Sequence, residues 1–90
     1  MIDIIKVKYA KNYKLELIFE DGTRGVVNLQ DYLNQGGVFS RFSNLTYFKK
    51  VYVNKELGTI CWPDGLDIAP ETLYQSVTGK RFQSKNRKAA

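Results

Sequence analysis

Tyr13-Lys14-Leu15-Glu16-Leu17-Ile18-Phe19-Glu20-Asp21-Gly22-Thr23-Arg24-Gly25-Val26-Val27-Asn28 is the stretch that decides the fold. Tyr13, Leu15, Leu17 and Phe19 recur at every second position, with Lys14 and Glu16 between them. That period of two is the mark of a strand with one face on a core and the other in water. Asp21-Gly22 then supplies the positive φ values of a tight hairpin turn. Thr23 to Asn28 reads as the returning strand. Upstream, Ile4-Ile5-Lys6-Val7-Lys8-Tyr9 alternates well enough for a strand of its own, and Lys11-Asn12 punctuates it. The three runs predict an antiparallel meander.

Downstream the pattern changes. Leu29, Tyr32 and Leu33 have the spacing of a short helix that Gln35-Gly36-Gly37 ends. Phe39, Phe42, Leu45, Tyr47 and Phe48 fall within Val38 to Lys50, which predicts one or two helical turns. Val51-Tyr52-Val53 and Thr59-Ile60-Cys61-Trp62 predict a second hairpin, followed by a Pro63-Asp64-Gly65 turn. Pro70 is favoured at a first helical position, Glu71 suits the helix dipole, and Gly79 is a natural stop. Leu73, Tyr74 and Val77 would form the buried side of this last helix. The expected class is α+β: a small antiparallel sheet, meander plus second hairpin, packed on two or three short helices in the order β-β-β-α-(α)-β-β-α. Ninety residues suffice for one such domain, expected over residues 1–79, with a basic flexible tail at 80–90.

Charge is unevenly placed along the chain. Five of the 14 basic residues (Lys80, Arg81, Lys85, Arg87 and Lys88) follow Gly79 with no acid among them, while the other nine balance the nine acids. The net +5 and the sequence pI near 9.4 therefore describe a neutral body with a basic tail. No apolar run approaches the roughly 20 residues of a membrane span. The N-terminus has no secretory pattern, and Cys61 has no disulfide partner. A cytoplasmic protein without membrane association is expected.

A second block, Trp62-Pro63-Asp64-Gly65-Leu66-Asp67-Ile68-Ala69-Pro70-Glu71-Thr72-Leu73-Tyr74, is the specific one. With the Tyr13–Phe19 strand, Asp21-Gly22 and Phe48-Lys49-Lys50-Val51, it resembles the small bacterial domains of the DUF2442 family, whose function is unknown. The resemblance covers about residues 3–79. It implies an α+β fold with a small antiparallel sheet. Because relatives are often encoded beside a small toxin-like protein, it also implies an antitoxin or accessory role. Some relatives continue into a helix-turn-helix domain, for which residues 80–90 are too few. The resemblance brings no catalytic residue. Trp62, Pro63, Gly65, Asp67, Pro70, Leu73 and Tyr74 read as framework.

Candidate chemistry is sparse. The chain has no histidine, so a Ser-His-Asp or Cys-His arrangement is out of reach. Cys61 sits in an apolar strand, where a thiol packs as a small hydrophobe. Asp64 and Asp67 are two carboxylates where a calcium loop needs more, so no metal site or cofactor is expected. Turn chemistry accounts for Asp64, and Asp67 is expected to satisfy backbone N–H groups ahead of the last helix. The aromatic residues are expected in the core rather than as base-stacking platforms.

The tail is the strongest functional signal, with Phe82 among Lys80, Arg81, Lys85, Arg87 and Lys88. Three readings stand open: a solvated end, an arm that orders on an acidic partner, and phosphate contact with a log–log salt slope of about −4.5 on duplex DNA. The leading expectation is a non-catalytic protein-binding module, an antitoxin or inhibitor that masks a partner protein such as a cognate toxin or nuclease. A nucleic-acid-binding or autoregulatory protein using the tail is the alternative. A small enzyme of unknown reaction, built around Asp64, Asp67 and Tyr74, ranks last. The oligomeric expectation is a monomer or a weak homodimer through an edge strand.

Overall fold

The computed structural model describes residues 2–79. The meander forms as expected: β1 (Ile4–Lys11), β2 (Lys14–Phe19) and β3 (Arg24–Asn28) make one antiparallel sheet in that order. Asn12, at φ 51, turns β1 into β2, in the left-handed region that asparagine tolerates better than most residues. The Asp21-Gly22 hairpin is a three-residue loop. Only Gly22 takes a positive φ, 91°, and the Gly22 and Phe19 N–H groups close the loop on the Phe19 and Thr23 carbonyls.

Gln30–Asn34 and Gly37–Ser43 follow as 3₁₀ turns, and α1 (Leu45–Phe48) is a single α-helical turn that begins where Asn44 accepts the Tyr47 N–H. The second hairpin, β4 (Tyr52–Asn54) and β5 (Thr59–Trp62), is a separate sheet with a third strand that periodicity did not suggest. That strand, β6 (Leu66–Asp67), returns from the Pro63–Gly65 turn and pairs Asp67 with Cys61 and Leu66 with Trp62. Two residues are too short to show any alternation. The two sheets meet where the Ile4 N–H donates to the Gly58 carbonyl at 2.9 Å.

α2 (Pro70–Thr78) starts on Pro70 and stops at Gly79, whose φ is 73°. It lies against β3, with Leu73 buried and Tyr74 edge-on to Phe19 at a centroid distance of 5.0 Å. The core gathers the inward side chains of both sheets: Leu15, Leu17, Phe19 and Val27 from one, Ile60 and Trp62 from the other. Phe42 and Phe48 fill the space between, with ring centroids 4.7 and 5.8 Å from that of Trp62. The aromatic residues assigned to the core lie there: Phe19, Phe42, Phe48 and Trp62 are fully buried, while Tyr13 and Phe39 are half-buried against them.

Gly25 lets α2 approach. A Cβ at this position would stand 2.6 Å from Cγ1 of Val77, well inside contact distance. Gly25→Ala should therefore lower the unfolding free energy by about 1–3 kcal/mol, the usual cost of overpacking. Adding Val77→Ala should recover part of the loss, as read from denaturant melts of the two single variants and the double variant.

Candidate functional site

The family-type block folds into a corner and makes its contacts inward. Trp62 is 0% exposed, and its indole N–H donates to the Phe48 carbonyl at 2.8 Å. The Tyr47 hydroxyl donates to the Pro63 carbonyl at 2.7 Å. Asp64, held at φ 73°, accepts from the Arg41 guanidinium at 2.9 Å, and that guanidinium also lies over the Tyr47 ring. Asp64 and Asp67 line one shallow hollow of about 300 Å³ with Val38, Phe39, Arg41 and Leu66. These two carboxylates are the groups there that could meet a cation, and Arg41 already neutralises one of them.

Three readings of the sequence are changed or completed here. Asp67 does not cap the last helix, because β6 carries it outward opposite Cys61 and the chain enters α2 through Ala69 without a side-chain cap. Tyr74 does not join the aspartates. Its hydroxyl donates to Asp21 at 2.9 Å, pinning the β2–β3 hairpin to α2. Cys61 is 2% exposed, and burial first, with the nearby Asp67 charge adding to it, pushes its thiol pKa up, away from the reactive thiolate. The tail residues Lys80, Arg81, Phe82, Lys85, Arg87 and Lys88 lie outside the described residues.

What the sequence reading missed is the solvent side of the first sheet. Strand register places the outward side chains in three cross-strand rows: Lys6, Ile18 and Arg24; Lys8, Glu16 and Val26; Lys11, Lys14 and Asn28. Five cations, one carboxylate, two aliphatic side chains and one amide make up this face, without an aromatic ring. Among the described residues the only ion pair is Arg41–Asp64, so none of the five cations is within 4.0 Å of a carboxylate oxygen. Val26 is 53% exposed at the middle of the outer strand. The body is neutral in total and strongly polarised in space. The alternation of Lys6 and Lys8 in β1 and of Lys14 and Glu16 in β2 carried this signal, but only when laid on the meander's register.

The chain belongs to the family described as Protein of unknown function (DUF2442), whose pattern matches residues 4–79. A comparison with curated proteins finds no match, and one with solved structures finds none either. No helix among the described residues is long and apolar enough to cross a membrane.

The Asp21 cluster has a pH signature. The Thr23 backbone N–H above all, then the Thr23 and Tyr74 hydroxyls, hold the Asp21 carboxyl below its ordinary value of 3.8. A depressed carboxylate stabilises the fold above its unfolded pKa and ceases to do so as pH falls through the folded one. The stability difference between the wild type and Asp21→Asn should thus be steady at neutral pH and shrink below about 3.8, as thermal melts across an acid series would read.

Proposed function

We propose that this chain is a non-catalytic protein-binding module, and in its finer form an antitoxin or inhibitor that masks a partner protein. One observation carries the reading: the open face of the first sheet is charged and patched with aliphatic side chains held in register, while the family-type block is engaged in the core and its turn. Specific protein interfaces combine a small apolar centre with a polar rim, and Ile18 and Val26 among lysines and Arg24 have that composition. An enzyme would need an acid and base set at a substrate cleft, and the shallow aspartate hollow offers Asp67 alone, since Arg41 pairs Asp64.

Support for the finer form comes from the family resemblance, in which relatives are often encoded beside a toxin-like protein. The alternative of nucleic-acid binding draws on the five tail cations. It weakens at the sheet, because single-stranded recognition rests on aromatic stacking platforms and none stands in the three rows.

Tagged chain purified from its source cell should carry one protein in fixed stoichiometry, and tagging that protein should return the chain. Deleting residues 80–90 should leave the fold intact and weaken the complex at least tenfold, about 1.4 kcal/mol. Reciprocal purification with light scattering of the eluted complex is the measurement. A chain that runs free in both directions, or one that co-purifies with DNA at a log–log salt slope near −4.5, would overturn the reading.

A further inference from the structure

We infer that the open face of the first sheet docks an acidic polypeptide surface, one that brings an apolar side chain to Ile18 and Val26 and a hydrogen-bond donor or cation to Glu16. This rests on the protein-binding reading and names the chemistry of the partner. Directly opposite side chains on antiparallel strands stand about 4.5–5.5 Å apart, and like charges so placed repel. Lys11 faces Lys14 across β1 and β2, and Lys6 and Arg24 flank Ile18 from both sides. Carboxylates laid across these rows relieve that repulsion, which makes the face complementary to an acidic surface.

Ile18 and Val26 occupy neighbouring rows on adjacent strands, within reach of one inserted side chain. Two hollows flank the β2 column. One of about 160 Å³ is lined by Lys6, Lys8, Glu16 and Ile18. The other, of about 230 Å³, has Glu16, Ile18, Arg24 and Val26 in its lining. Both suit a side chain rather than a cofactor.

Glu16 decides between polyanions. It occupies the middle position of the middle row, between Lys8 and Val26. A nucleic-acid backbone carries unbroken negative charge and would meet this carboxylate with nothing to pair it. A protein surface can place one lysine, arginine or amide there. Glu16 thus works as the element that rejects a wrong partner, alongside the cations that attract the right one.

The test uses the full chain, so that the tail is the same in every variant. The probes are a labelled peptide of alternating Glu and Leu, its Glu-Ser counterpart and a short DNA duplex, followed by fluorescence anisotropy at low salt. The wild type should bind Glu-Leu more tightly than Glu-Ser. Lys6→Glu with Lys8→Glu and Arg24→Glu should weaken Glu-Leu binding about tenfold or more, since each exposed charge contributes modestly. Glu16→Lys should raise affinity for the duplex several-fold. Should the triple variant fail to fold, the matching three Gln substitutions should still weaken Glu-Leu binding about threefold. Unchanged Glu-Leu affinity in the folded triple variant, or equal binding of Glu-Leu and Glu-Ser, would overturn the inference. A cellular complex that survives the triple reversal leaves the protein-binding reading standing without this face. Face-dependent peptide binding with no cellular complex does the opposite.

Discussion

The Trp62 indole is the constraint on which the rest of the molecule depends. A buried indole N–H without an acceptor costs about 1–3 kcal/mol, so its bond to the Phe48 carbonyl settles how the end of β5 meets the end of α1. Around that bond the Phe42, Phe48 and Trp62 rings pack edge to face or tilted, and Tyr9 and Tyr13 carry the contact on to the first sheet. Two three-stranded sheets thereby share a single core. Pro63 follows directly, and the corner it begins is held by Tyr47 and Arg41 from the α1 side.

The same constraint explains why a sheet face is left open. A chain of this size buries only about 60% of its unfolded surface, so it cannot cover both sides of its sheets. The second sheet, α1 and α2 all lie on the inner side of the meander. Leu15, Leu17, Phe19 and Val27 face them, and the intervening positions face water. Which residues stand outside is thus dictated by the core in register. Lys6, Lys8, Lys14 and Arg24 could not turn inward without reversing every apolar residue of their strands.

Most of the frame was legible because it rests on local rules. The alternation from Tyr13 to Phe19, the Asp21-Gly22 turn, Pro70 at the start of α2 and Gly79 at its end each depend on near neighbours only. The aromatic core was legible too, since large rings amid apolar neighbours seldom stay exposed. The rest depends on distant partners. β6 is a strand only because β5 lies beside it, and that pairing removes Asp67 from the helix cap. Tyr74 meets Asp21 across more than fifty residues of chain. The open face escaped notice for a related reason: charge summed along the chain cancels, whereas charge sorted by side of the sheet does not.

Tail and face differ in what they can contribute to recognition. In the proposed binding role, the five cations after Gly79 would raise the rate of encounter with any acidic body, but a point attraction carries little information about its target. The sheet holds its charges in rows whose spacing is set by backbone hydrogen bonds, with Glu16 and two aliphatic side chains interrupting the cations at fixed places. Discrimination between partners requires such fixed mismatches as well as attractions. Val77 of α2 lies against Gly25 of β3 on the inner side of the sheet, and the flanking Arg24 and Val26 point to the open side. One strand thus serves both sides of the sheet: Gly25 admits α2 to the core, and its two neighbours hold a cation and an aliphatic side chain in register on the face left open.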